Sequence, residues 1–444
     1  MKQEREGALA FGIRRQLLLS LVDQGFLSLM GIALALALIQ KWPPEVFGTF
    51  ATIMALSYVF DSLQNALVGN LLSVLRPRVK DVGDEAQLLS TLWTANFLLM
   101  SFGFIVTVLV GVLVWPEKPI SFSLSAGAFI GALVLREHMR CLLFSELRTG
   151  FVLIIDVIYI LFVIVGLCLV WSHRNEFNLT SVSLVLAVAN AASCLPAIWA
   201  CRPSLRFSFG KTVWFRYVKI WRDQSRWAVL GVVTSEFMNR AHVFVVGIFF
   251  GAAAVGILQA GAMVCRPIIL MLQAWSRLSL PVFARLFASG ANASAIRWAN
   301  VSAAVALIIT TTFFVALTIA WPFLEATVFP ERYAAVADVI GFWGFATAIL
   351  MITGIYSVAL EGMARFREVS IASVVGCIVT FFALIVVVFL GHYQWAIVAV
   401  AAGYLADLIT ILIILGKLTE GQARKKYVGS IKEKMRRQNL NEAI

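Results

Sequence analysis

Residues 202–225 read RPSLRFSFGKTVWFRYVKIWRDQS, the longest polar connection in a chain of 444 residues that is 61% hydrophobic and only 14% charged. Soluble domains carry roughly 25% charged residues. On each side of this connection the sequence falls into apolar runs of the length that crosses a bilayer, about 20 residues. Six precede it, near 17–39, 47–75, 88–114, 120–141, 150–171 and 178–201. Six follow, near 226–250, 253–280, 296–321, 334–359, 368–390 and 393–415. Several runs are long enough to require tilted or kinked helices. The expected fold is therefore an all-α polytopic membrane protein of about 12 transmembrane helices in two six-helix lobes. Its expected parts are an N-lobe at 1–201, the connection 202–225, a C-lobe at 226–416 and a basic tail at 417–444. Within the connection, aromatic residues alternate with basic ones, as in an amphipathic helix lying on a membrane surface.

Basic residues set the orientation. With the N-terminus in the cytoplasm, 30 Lys and Arg fall on the inner side and four (Lys41, Lys118, Arg174, Arg332) on the outer, with Arg240 and Arg266 inside the membrane. That asymmetry follows the positive-inside rule and places both termini in the cytoplasm. The net charge of +12 is spread between apolar runs and over the C-terminus. It suits contact with anionic membrane lipids and excludes nucleic-acid binding, for which there is no basic domain. The six Cys form no C-x-x-C pair and read as small apolar fillers. No cofactor or metal site is expected. The absence of a phosphate-cradling glycine loop, of G-x-S-x-G and of H-E-x-x-H argues against an enzyme. The first apolar run is long enough to span and stay, unlike a cleavable signal peptide.

The two halves echo each other. PPEVFGTFATIMALSYVFDSLQNAL (43–67) follows the first run, and GAAAVGILQAGAMVCRPIILMLQAW (251–275) follows the seventh. Each opens on small residues and a Phe-Gly or Val-Gly step and then continues as a long apolar helix. Parallel repeats of this kind are a transporter signature.

Asp23-Gln24 in the first run, Glu-Val-Phe-Gly at 45–48, and a second helix ending in Leu-Arg-Pro at 75–77 carry a resemblance. The stretch LVDQGFLSLMGIALALALIQKWPPEVFGTFATIMALSYVFDSLQNALVGNLLSVLRP resembles the polysaccharide-exporter and O-antigen flippase branch of the multidrug/oligosaccharidyl-lipid/polysaccharide (MOP) flippase superfamily. The resemblance implies a flippase for a lipid-linked saccharide in the bacterial inner membrane, built around a central cavity whose lining is positively charged.

Charges inside the membrane are the candidate site, because a charge at the bilayer centre costs from about 3 to more than 10 kcal/mol. Glu236, Asn239 and Arg240 share one face of the seventh run; Gln259, Arg266, Gln273 and Arg277 share one face of the eighth. Arg240, Arg266, Asn239, Gln259 and Gln273 are candidate substrate-binding residues. The planar fork of Arg suits an anionic diphosphate. The competing reading pairs Glu236 with Arg240 or Arg266 to hold helices together. Pro267 is a candidate kink and gate, and Asp61 and Glu236 are candidate coupling carboxylates for H+ or Na+. Asp61 lies beside Gln64 and Asn65. Arg136, Glu137, His138 and Arg140 read as an interfacial cluster at the inner end of the fourth run, and Asn96, Asn190 and Asn300 as interhelical hydrogen-bonders. Two alternatives stay open: a cation-coupled multidrug-type exporter of small amphiphiles, and a membrane scaffold for polysaccharide synthase or polymerase components, docked through the tail 424–438.

Overall fold

The computed structural model describes residues 24–76, 79, 81–146, 148–172, 177–202, 205–207, 210–222, 226–363 and 365–417. Asp23, Arg174 and the tail at 424–438 lie outside the described residues, as do Arg78 and Lys80. Among the described residues there are 12 helices long and apolar enough to cross a membrane. Spans one to six are Gln24–Lys41, Pro44–Ser73, Val82–Val114, Ile120–Ser145, Thr149–Ser172 and Leu179–Ala200. Spans seven to nine are the helices Arg226–Phe249, Ala252–Ala288 and Asn292–Thr327. Spans ten to twelve are Val336–Gly362, Phe366–Leu390 and Trp395–Lys417. Each apolar run of the sequence overlaps one of these helices over its described residues. Spans eight and nine outlast their apolar runs at both ends, because polar residues continue a helix once its hydrogen-bond ladder is established.

Local chemistry marks the ends. Pro43 and Pro44 open span two, where the missing N–H costs nothing. Asn178 and Ser181 form a reciprocal capping box at the start of span six. Span eight stops at Gly290, whose φ of 73° suits glycine. There the Ala291 N–H donates to Leu286 O (2.9 Å) and the Gly290 N–H to Phe287 O (3.1 Å), a Schellman closure. Pro267 and Pro281 both lie inside span eight, which runs through them as one helix. Span two is interrupted differently: Asn65–Gly69 is a turn of π-helix between the α-helical segments Pro44–Gln64 and Asn70–Leu75.

The chain forms two compact units. The first comprises Met1–Met263 and Glu325–Val336; the second comprises Val264–Leu324 and Ala337–Ile444. In the first, Leu72, Leu88, Leu92, Met139, Leu143 and Ile155 are at the centre of an apolar core. The connecting helix Lys211–Ile220 rests on that core through Tyr217 and Ile220. The Tyr217 hydroxyl donates to Leu67 O at 3.3 Å, and burial pushes its phenol up to about 12, so it stays a donor. Trp214 and Phe215, 61% and 71% exposed, face outward from the same helix. In the second unit, Ile268, Leu272, Phe283, Ala303, Met351 and Ile355 form the core joining spans eight, nine and ten.

Two features tie the Trp42 end of the first unit together. The segment Glu325–Val336, which connects spans nine and ten, lies against the end of span one. Arg332 donates through Nε to Trp42 O (3.1 Å) and through Nη2 to Ile39 O (3.2 Å) and Gln40 O (2.7 Å). These carbonyls close span one and lack intrahelical partners, so a cation satisfies them well. Tyr333, fully buried, adds its hydroxyl to Trp42 O at 3.1 Å.

The second feature is a helix crossing. A Cβ at Gly48 would overlap Ala252 O, and one at Gly256 would overlap Pro44 O. Pro44 precedes Gly48 by the same spacing that separates Ala252 from Gly256. The two repeat segments noted in the sequence therefore meet reciprocally, each glycine against the other helix's first turn. A local two-fold axis makes contacts of this form, and only glycine allows backbones so close.

Candidate functional site

Span seven carries the first part of the site. Glu236 and Arg240, one turn apart, form an ion pair with Arg240 Nε 2.7 Å from Glu236 Oε2. The other carboxylate oxygen, Oε1, accepts from Ser62 Oγ at 2.9 Å. The guanidinium carbon of Arg240 lies 4.0 Å from the centroid of the Tyr58 ring, within cation–π range. The Arg240 side chain remains 27% exposed. Its Nη1 and Nη2 atoms make no hydrogen bond among the described residues. Arg240 is thus held by one edge and one face, leaving the fork end for a ligand. The pairing anticipated as the competing reading is present, and it positions the cation rather than hiding it.

Asn239 is half-buried beside this pair. Gln259 turns elsewhere: its Nε2 lies 3.1 Å from His242 Nε2, joining spans seven and eight. In the second unit, Arg266 is half-buried, whereas Pro267 and Gln273 are exposed. The structure therefore gathers Glu236, Asn239 and Arg240 with Tyr58 and Ser62, while Gln259 serves His242.

Spans four, five and six carry a second, more deeply buried group. Asp156 receives Arg136 Nη2 at 2.5 Å and faces Arg140 Nε at 3.1 Å. Arg136 also donates through Nη1 to Asn190 Oδ1 (3.2 Å), and its guanidinium carbon lies 4.0 Å from the Tyr159 ring centroid. Arg140 Nη1 pairs with Glu137 at 2.8 Å. Relative exposure is 4% for Arg136, 8% for Arg140, 2% for His138 and 1% for Asp156. Arg136, His138 and Arg140, read from the sequence as part of an interfacial cluster, are thus packed inside a helix bundle. Their partner Asp156 is on another helix, so one helix face gives no sign of it.

Asp61 connects the two groups. Glu137, Arg140, Arg136 and Glu236 all lie within its electrostatic range. Its Oδ1 is buried with no hydrogen-bond partner among the described residues. Of the two candidate coupling carboxylates, Glu236 has both oxygens engaged and Asp61 has one free. Asp407 in span twelve, 5% exposed, also has an Oδ1 without a hydrogen-bond partner among the described residues. Of the three asparagines, Asn190 and Asn300 bond across helices, Asn300 Oδ1 accepting from Tyr356 at 2.8 Å. Asn96 is fully buried with no partner on either side-chain atom among the described residues.

No protein-family description matches the chain, and no curated protein matches it by sequence. Solved structures do. The chain is similar to the lipid II flippase MurJ in an inward closed conformation, with a TM-score of 0.69 at 12% identity over 90% of this chain and 87% of that one. It is also similar to a multidrug resistance MATE family transporter of the MOP superfamily. For the inward-facing form the TM-score is 0.61 at 14% identity, covering 91% of this chain and 96% of that one. For the outward-facing form it is 0.57 at 11% identity, covering 92% and 96%. The chain shares the fold of these structures, the fold that the resemblance of the first hundred residues implies.

Proposed function

We propose that the protein is a flippase that moves a polyprenyl-diphosphate-linked oligosaccharide from the cytoplasmic to the outer leaflet of the bacterial inner membrane. The observation that carries this reading is the free fork of Arg240, gripped by Glu236 and Tyr58 inside a membrane-crossing helix. A guanidinium so placed binds a diphosphate through paired hydrogen bonds and opposes a cationic drug. In this reading Asn239, the neighbour of Arg240 on span seven, contributes a hydrogen bond to the saccharide, whereas Gln259 stays with His242. Alternating access exposes the site to each membrane face in turn. The polyprenyl tail stays in lipid, and no enzymatic step is involved.

Asp61 is the coupling carboxylate in this proposal, taking up H+ or Na+ at its free oxygen. The unpaired carboxylate also favours the second reading, a cation-coupled exporter of small amphiphiles. The two separate in one experiment. In a strain lacking the protein, lipid-linked oligosaccharide builds up on the cytoplasmic leaflet; the wild-type chain clears it, and the Arg240→Ala variant clears it at least about tenfold more slowly, as expected from losing charged hydrogen bonds of about 1.5–3 kcal/mol each. No accumulation in that strain, together with increased sensitivity to cationic dyes, selects the exporter. Asp61→Asn is expected to leave folding intact and to remove the dependence of transport on the ion gradient; transport by this variant that still follows the gradient removes Asp61 from the coupling role.

A further inference from the structure

Within the second unit, spans nine and ten enclose a cavity of about 560 Å³, in the size range of small-molecule sites. Span nine lines it with Thr310, Phe314 and Trp321, and span ten with Gly341 and Gly344. A Cβ at Gly341 would meet nothing within 4 Å, and one at Gly344 would touch the Phe314 ring at 3.0 Å. Missing side chains thus hollow the surface. Val315 and Phe345, which also line it, are 53% and 57% exposed, so the cavity opens sideways between the helices. The medium outside a membrane-crossing helix pair is lipid.

The dimensions are those of one leaflet. Thr310 and Trp321 are eleven positions apart on one helix, about 16 Å along its axis, roughly half the ~30 Å hydrocarbon core. Trp favours the membrane–water boundary, and the basic residues of the sequence assign this half to the outer leaflet. At the other end, Thr310 is 1% exposed and lines the cavity.

We propose that this groove is a binding site for one acyl chain of an outer-leaflet diacyl phospholipid, with the glycerol end near Trp321 and the chain end near Thr310. A chain in the groove touches protein on several sides, whereas one on a flat helix face touches it on one, and the added dispersion contacts hold it there. A polyprenyl chain is longer than one leaflet is thick and would leave most of its length outside. The proposal is independent of what the protein transports.

The test uses the full chain in vesicles of phosphatidylethanolamine and phosphatidylglycerol with a trace of phospholipid bearing a diazirine at the end of one acyl chain. After irradiation, adducts are mapped by peptide mass spectrometry. The expected result is labelling of 310–322 and 337–348 about tenfold above that around Ile378 and Phe382, which are 50% and 62% exposed on span eleven. Gly341→Leu fills the groove and is expected to abolish the enrichment without changing span eleven. Ala337→Leu, at an exposed lining position, is a second filling variant that gives the same loss should the first fail to fold. Equal labelling of the two surfaces overturns the proposal. So does groove labelling by a diazirine-bearing polyprenyl phosphate that excess phospholipid does not displace.

Discussion

Asp156→Ala is expected to destabilise the protein by about 3–5 kcal/mol, the cost of removing one partner from a buried ion pair. Asp156 is the shared carboxylate of two guanidinium groups, those of Arg136 and Arg140. Its removal leaves Arg136 almost wholly buried, with Asn190 and the Tyr159 ring as its remaining partners among the described residues. Arg140 retains Glu137, so the damage should centre on Arg136. The paired change Arg136→Met/Asp156→Leu removes both charges and replaces them with apolar volume, and should recover at least half of the loss, because well-packed apolar residues often replace a buried pair at little cost. Unfolding of the purified protein in detergent, followed by circular dichroism, measures both. Equal stability of Asp156→Ala and wild type would show that the buried arginines do not depend on this carboxylate.

Gly48→Ala is expected to open the crossing of spans two and eight. The added carbon would occupy the place of Ala252 O, and backbone cannot yield as a flexible side chain does. Thr49, 2% exposed beside the crossing, reports the change. In a cysteine-free background, Thr49→Cys should resist a membrane-impermeant maleimide, and the added Gly48→Ala should raise its labelling rate about tenfold, the response to a closed–open equilibrium moved by about 1.4 kcal/mol. Gly256→Ala should act alike, because the contact is reciprocal. Unchanged labelling in both variants would mean that the crossing is not what protects this end.

The helices were legible in the sequence because each crosses as one apolar window, and hydropathy alone finds such windows. The Glu236–Arg240 pair was legible because its members are one turn apart on one helix. The Arg136–Asp156 pair was not: its members are on different helices, and a hydrophobic pattern encodes neither the neighbour nor the depth of a charge. The roles of Gln259 and Arg332 escaped for the same reason. Gln259 shares a helix face with Arg266, yet its side chain is taken by His242. Arg332 counted as one of four basic residues on the outer side, whereas its three backbone acceptors belong to span one. The glycines at 48 and 256 were visible as a repeated step, but their mutual contact needed coordinates. The π-turn at Asn65–Gly69 has no compositional mark at all.

That π-turn has an angular consequence. A π-turn accommodates one residue beyond what an α-helix would use for the same length. Each α-helical residue advances the side-chain direction by about 100°. A chain lacking one residue between Asn65 and Gly69 would still cross the membrane, but the portion from Asn70 onward would be rotated out of phase with Tyr58, Asp61 and Ser62. Leu71 and Leu72, now buried, would swing off the core, and Ser73 would take a new azimuth. Span two therefore behaves as two helical screws with an offset between their threads. One half is indexed to the charged interior, the other to the apolar core, and the π-turn is the coupling that lets both indices hold at once.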